Sequence, residues 1–214
     1  MNILFIGGSS EIAIKVAKNI KKNVYSISRK NSIRYYKKNI QIKNYSENKL
    51  NFAFGKLKSI NFQSVFIFNG CHKTSLLSFF NESLFDKMME TNLKIPIKIT
   101  NVLIKNCHIN KNGSINFIGS IAASKNDVGN AYYAISKLAL TFASKLFMKE
   151  QKKRSIRFNT LSFGLVHTNI ALNLIKKLPL NSKKKMKFTT IKKIADKIIF
   201  ISKSKSLNGK NIII

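Results

Sequence analysis

The chain has no tryptophan, two prolines, two cysteines and eight acidic residues among 214 positions. Each scarcity excludes something. Cys71 and Cys107 form no metal or redox pair motif, so a disulfide scaffold and a thiolate metal centre are both set aside. Reduced thiols and a cytoplasmic location are expected instead. The histidines His72, His108 and His167 show no ligand spacing, and no metal is expected. No apolar run approaches the roughly 20 residues that span a membrane, and a mean hydropathy of −0.07 argues against a membrane bundle. The opening Met1-Asn-Ile-Leu-Phe-Ile-Gly-Gly lacks a basic leader and is too short an apolar run for a signal peptide. It reads as a first strand.

The shortage of acids leaves 39 lysines and arginines to set a formal charge of +31. Nucleic-acid binding is the immediate reading of such a balance. The charge is almost all lysine, however, with arginine only at Arg29, Arg34, Arg154 and Arg157, and it is scattered along the chain. Lysine travels here with Asn, Ile and Phe, whose codons are rich in A and T, while Trp, Pro and Gly are rare. Base composition of the genome accounts for that set better than selection for a polyanion. The charge would still favour anionic substrates and acidic partners. With 44% hydrophobic residues, the length suits one domain over 1–214 with a substantial core.

The chain then alternates between strand and helix signals. Asn2–Ile6 is an apolar strand, followed by Gly7-Gly8-Ser9-Ser10-Glu11-Ile12-Ala13 and a helix marked by Ile12, Val16 and Ile20. Strand, glycine turn and helix bring backbone N–H groups against a pyrophosphate. Val24–Ser28 is a second strand ending at Arg29, where an arginine suits the 2′-phosphate of NADP rather than the 2′-hydroxyl of NAD. Asn39–Lys43 is a third strand, and Ser64–Phe68 a fourth that ends in Asn69-Gly70-Cys71. Phe85 to Lys105 has helical periodicity, with a kink expected at Pro96. Ser114–Ile118 is a buried strand that delivers Ser120, and a long helix runs from Tyr132. Ile156–Ser162 is a strand, Ala171–Phe188 an irregular lysine-rich flap, Ile191–Lys203 a helix and Asn211–Ile214 a closing strand. The pattern predicts an α/β fold: a Rossmann-type, doubly wound parallel sheet with helices on both faces.

Tyr133 and Lys137 lie four apart on the long helix and share a face. An ammonium beside a phenol favours the phenolate, so a lowered Tyr133 pKa is expected. Ser120 could polarise a carbonyl oxygen that Tyr133 then protonates. The spacing alone carries little, because Tyr45-Ser-Glu-Asn-Lys49 repeats it with no chemistry around it.

Taken together these segments resemble the short-chain dehydrogenase/reductase family over essentially the whole chain. Gly7 to Ala13 is similar to its T-G-x-x-x-G-I-G loop, and Phe68-Asn69-Gly70-Cys71 to N-N-A-G. Asn92, Ser120, Tyr133 and Lys137 match the Asn-Ser-Tyr-Lys tetrad, with thirteen residues from Ser120 to Tyr133. Arg157 to Gly164, then Val166 and Thr168, is similar to the R-V-N-x-V-x-P-G-x-x-x-T segment that holds the nicotinamide. The resemblance implies catalysis by Asn92, Ser120, Tyr133 and Lys137. It implies NADP(H), with NAD(H) possible, held by Gly7, Ser9, Ser10, Glu11, Ile12, Arg29, Asn44, Asn69, Gly70, Tyr133, Lys137, Gly164, Val166 and Thr168. In this scheme Asn92 holds a water that links Lys137 to solvent.

Departures stand at Glu11 and Ala13 for glycine, at Phe163 for proline and at Asn44 for an aspartate near the adenine. The chain also stops at Ile214, short of a tail that often completes the family's subunit interface. Within the family the best match is to reductases of 3-oxoacyl groups on acyl carrier protein, in fatty acid synthesis. There Lys111 and Arg154 would dock the acidic carrier. Another carbonyl or alcohol substrate, from cell-surface sugar or secondary metabolism, is the alternative. A non-catalytic, basic dinucleotide fold that binds a polyanion is the third reading. The resemblance further implies a homo-oligomer, dimer or tetramer, packed through the helices that start near Phe85 and Tyr132.

Overall fold

Short β-rich runs alternate their side chains between two apolar layers, and that alternation builds the sheet. The computed structural model describes residues 1–20, 23–31, 33–106, 109–125, 127–176 and 187–214. The strands are β1 (Asn2–Ile6), β2 (Asn23–Ser28), β3 (Lys38–Gln41), β4 (Phe62–Ile67), β5 (Ile109–Ile118), β6 (Arg157–Ser162) and β7 (Lys210–Ile213). All pairings are parallel, in the order β3-β2-β1-β4-β5-β6-β7. The helices are α1 (Glu11–Asn19), α2 (Glu47–Gly55), α3 (Glu82–Met89), α4 (Ile95–Asn106), α5 (Ala131–Glu150), α6 (Asn169–Lys176) and α7 (Ile191–Lys203). The strand order reverses between β1 and β4, so the crevice at their carboxyl ends is where a ligand binds in such sheets.

Both faces are covered, as a parallel sheet requires. Ile3 and Phe5 of β1 pack with Val16 of α1 and Ile198 of α7. Leu4 and Ile6, one residue out of step, pack on the other side with Phe54 of α2, Val102 of α4 and Leu140 of α5. Burying a side chain of this kind contributes roughly 1.5–3 kcal/mol, and every residue from Ile3 to Ile6 has 0% exposure.

The expected strands and helices are present with shifted ends, and three features differ. The helix α2 was not foreseen. The break expected at Pro96 falls a turn earlier, as a π segment over Glu90–Lys94. Ile95 N–H donates to Glu90 O there, and Pro96, with no N–H to give, follows as the second residue of α4. The expected flap of 171–188 begins as α6 and ends in a bridge from Phe188 to Leu165. Residues 177–186 of that flap, together with Cys107 and His108, lie outside the described residues.

Candidate active site

The turn after β1 needs its glycines. Gly7 has φ +80°, and a Cβ on it would come within 3.1 Å of Asn69 N and Oδ1. On Gly8 a Cβ would meet Ser26 Oγ at 2.1 Å. Ser9 follows, half-buried, and the Ser10 hydroxyl caps α1 by accepting from Ala13 N at 3.2 Å. The amides of Glu11 and Ile12 have no partner within the helix by its geometry, which suits them to an anion. Ala13 is fully buried, so the contact between helix and sheet accommodates a methyl group where the family motif has glycine. The Glu11 side chain is committed elsewhere: it pairs with Lys15 at 2.7 Å and accepts from Asn169 N at 2.8 Å.

Arg29 is exposed just past β2, and Asn44 is exposed and accepts from Ser46 N at 3.0 Å. Beside it, Tyr45 is buried. Burial pushes its phenol up, while a hydrogen bond from Asn69 and the nearby Arg29 pull the other way. Tyr45 precedes α2 and Lys49 is exposed, so this second Tyr-x-x-x-Lys pair shares no helix face. Asn69 Oδ1 is buried with no hydrogen-bond partner, close to Gly7. That orphaned acceptor, the glycine turn and the free helix amides fit a dinucleotide carrying hydroxyl donors and a diphosphate.

The end of β5 brings the chemistry together. Ser120 is extended and caps the following turn, accepting from Ala122 N at 3.2 Å. Two adjacent tyrosines then open α5 and point about 100° apart. Tyr132 is structural: it is buried, its Oη accepts from Asn81 N at 3.3 Å, and it packs on Phe80 and Phe85. Tyr133 is half-buried and hydrogen-bonds to Ser120. Lys137 is 3% exposed, donates to Ile118 O at 2.9 Å, and lies 5.9 Å from the Tyr133 ring centroid. Gly70 lets the backbone close on this group, since a Cβ there would stand 3.3 Å from Lys137 Nζ.

The electrostatics depart from expectation. Burial pushes the Tyr133 phenol up; the Ser120 bond opposes this and the Cys71 thiol adds to it. Burial pulls Lys137 down to about 8, with Cys71 opposing. The group that favours the phenolate is therefore the serine, and desolvation outweighs it.

Asn92 sits in the π segment, fully buried, and clamps the turn after β4. Its Oδ1 accepts from Cys71 N at 2.7 Å, while its Nδ2 donates to Cys71 O at 3.0 Å and to Ser136 Oγ at 2.9 Å. Three residues of this site carried no role in the sequence reading. Cys71 is the clamped residue, and Ser136 passes the contact on to Tyr133 O at 2.7 Å. The His72 ring packs against Tyr133 at 4.7 Å and 86°, with Nε2 2.8 Å from Asn130 Oδ1. The only sequence signal for His72 was its place beside the N-N-A-G-like turn.

The loop between β6 and α6 completes the crevice. Gly164 N donates to Thr189 Oγ1 at 3.2 Å, and Phe163 and Val166 are buried in the core shared with α1 and α7. Phe163 thus fills apolar space where the family motif has proline. The Thr168 hydroxyl is buried and accepts from Ala171 N at 3.2 Å. Lys111 and Arg154 are not at the crevice. Lys111 lies in the irregular opening of β5, where the register with β4 shifts between Phe62 and Ser64, at the strand end away from Ile118. Arg154 follows α5, and its Nη1 donates to Ile104 O at 2.8 Å. Both stand at the amino edge of the sheet.

Comparison with known proteins agrees with this architecture. A family model for short chain dehydrogenases matches residues 1–178. Carbonyl reductase family member 4 of Xenopus tropicalis is 28% identical over 132 residues, 59% of this chain and 54% of that protein. The chain thus spans about half the length of the frog relative that it matches. The 3-oxoacyl-[acyl-carrier-protein] reductase of Bos taurus is 25% identical over 145 residues, 68% of this chain and 61% of that one. A short chain dehydrogenase family protein from Francisella tularensis superposes with a TM-score of 0.85 at 23% identity, covering 100% of this chain and 96% of the other. NADP-bound ElxO does so with a TM-score of 0.83 at 20% identity, covering 100% and 96%. With a seven-stranded parallel sheet and a family match over most of its length, the chain belongs to the short-chain dehydrogenase/reductase family of oxidoreductases.

Proposed function

We propose that this chain is a cytoplasmic, NADPH-dependent reductase of a carbonyl group. The observation that carries the reading is the convergence of Ser120, Tyr133 and Lys137 at the carboxyl end of β5, beside the reversal in strand order. When bound, the nicotinamide supplies the hydride. Ser120 holds the substrate oxygen and stabilises the charge that develops on it. Tyr133, kept protonated by burial, donates its proton to that oxygen. Lys137 is fixed by Ile118 O with Nζ 5.9 Å from the ring centroid, where it would hold the nicotinamide ribose, while the Ser120 bond favours the phenolate left behind. Asn92 holds Cys71 in place, and so sets the turn whose Gly70 stands by Lys137 and whose His72 packs on Tyr133. Exposed Arg29 at the end of β2 is placed for a 2′-phosphate.

As substrate we propose a 3-oxoacyl thioester on acyl carrier protein, in fatty acid synthesis, on the sequence match and the bovine relative's name. A second reading, reduction of a free carbonyl, is favoured by the placing of Lys111 and Arg154 away from the crevice of their own chain. It also agrees with the frog relative's name. Turnover of a 3-oxoacyl thioester and of simple ketones, each with NADPH and NADH, separates the readings. Faster thioester reduction with NADPH supports the first. Preference for free ketones supports the second, and preference for NADH overturns the role given to Arg29.

The subunit is further proposed to self-associate through α5. That helix exposes Ile135, Leu138, Phe142 and Leu146, at 48%, 50%, 61% and 42%, along one stripe. An apolar stripe of this kind marks an interaction surface.

A further inference from the structure

At the lip of the crevice, α1 and the β6–α6 loop are tied by one ion pair. Lys15 Nζ lies 2.7 Å from Glu11 Oε1 and also donates to His167 O at 2.6 Å. Glu11 Oε2 accepts from Asn169 N, the first residue of α6, at 2.8 Å. The two contacts join positions 152 and 158 apart in the chain. An exposed i,i+4 pair contributes little to folding by itself. Here each partner makes a second, charge-assisted bond to the backbone of one loop. The negative group also sits in the first turn of α1 and at the start of α6, where both helix dipoles favour it. The family motif has glycine at position 11, and glycine offers no side chain for such a contact.

The loop so tied carries Gly164, Val166 and Thr168. Its far side is fixed by Thr189 N donating to Leu165 O at 2.8 Å and by His167 stacking on Phe188 at 3.9 Å. Glu11 and Lys15 therefore close the one side that faces the amide end of α1. We propose that Glu11 and Lys15 form a strap that positions the β6–α6 loop over the cofactor's diphosphate and slows its release. Lys15 offsets the Glu11 charge, so the diphosphate does not meet an unpaired carboxylate. The inference rests on the dinucleotide reading above and assigns Glu11 a positioning role rather than a direct contact with the cofactor.

Release of NADPH tests it without any substrate. The fluorescence of bound NADPH, in a chain free of tryptophan, is followed after rapid mixing with excess NADP+. Glu11→Ala and Lys15→Met should each raise the release rate about tenfold, as loss of a charge-assisted bond implies. Glu11→Gln should fall between them and wild type. Glu47→Ala, which breaks the exposed Glu47–Lys105 pair at 3.5 Å, should leave release unchanged. Raising salt should speed release from wild type more than from Glu11→Ala. Equal release rates in wild type, Glu11→Ala and Lys15→Met would overturn the strap and leave cofactor binding intact. A wild-type protein that binds neither NADPH nor NADH would overturn both. Should Glu11→Ala fail to fold, Lys15→Met removes the same tie from its other end.

Discussion

Lys137 is the costliest side chain in the site. A buried ammonium, pulled by desolvation from 10.5 down to about 8, opposes folding wherever it is charged. Between pH 8 and pH 10.5 the unfolded chain holds a proton that the folded chain has released. Stability therefore rises with pH across that window, and the full penalty, about 3 kcal/mol, is present below it. Losing the bond to Ile118 O returns about 1 kcal/mol of that on substitution. Lys137→Met should thus be more stable than wild type at neutral pH by about 2 kcal/mol, with the gap gone near pH 10. Urea denaturation at the two pH values measures this, and a less stable variant at neutral pH would contradict it. Such a trade fits the chemical role proposed for Lys137 better than a packing role. Ser120, Tyr133 and Lys137 were legible through the family resemblance, since the four-residue spacing of Tyr133 and Lys137 recurs at Tyr45 and Lys49 with no site around it. The sequence could not reveal that burial outweighs the serine at Tyr133, because desolvation depends on what the whole fold lays over the ring. Nor could it place His72 on the Tyr133 ring, a contact between residues far apart in the chain.

The segment between α3 and α4 shows how a local irregularity serves a distant strand end. The π turn over Glu90–Lys94 carries Asn92 inward to the turn after β4. Asn92→Ala removes three bonds and takes the partners from the half-buried Cys71 N–H and C=O, while Ser136 Oγ keeps its bond to Tyr133 O, so a loss of about 3 kcal/mol is expected. Chemical denaturation checks the loss, and a change below about 0.5 kcal/mol would mean the clamp contributes nothing. The helices α1 and α7 were readable because their apolar residues recur on one face, with Ser10 and Thr190 as caps. The helix α2 was not. It buries Leu50, Ala53 and Phe54 yet exposes Phe52 at 55%, so the apolar pattern runs round the helix and hides its period. Pro96 drew attention to the right helix and the wrong turn, because the altered ladder lies upstream of the ring.

For the molecule as one body, the parallel sheet followed from the strand and helix alternation, and its strand direction puts Ser120, past the carboxyl end of β5, on the edge opposite Lys111 and Arg154. Sequence matches could not reveal that separation, because which edge a residue occupies depends on strand direction. The α5 stripe bears on assembly. Phe142→Glu would place a charge in a self-associating face, and sedimentation should show a smaller species than wild type at equal concentration. Identical sedimentation would remove α5 from the interface. The chain-wide positive charge of +31 makes any such face work against repulsion, so association should strengthen with moderate salt.

Tyr133 is proposed as the proton donor in a carbonyl reduction driven by NADPH. The most direct measurement is the loss of reduced-nicotinamide absorbance with a 3-oxoacyl thioester and a panel of ketones, wild type against Tyr133→Phe. General acid catalysis of this kind contributes about 10²–10⁴-fold. A fall of that size is expected in Tyr133→Phe, with NADPH binding unchanged. Equal turnover by the two proteins, or no turnover of any carbonyl by a wild type that binds NADPH, would contradict it.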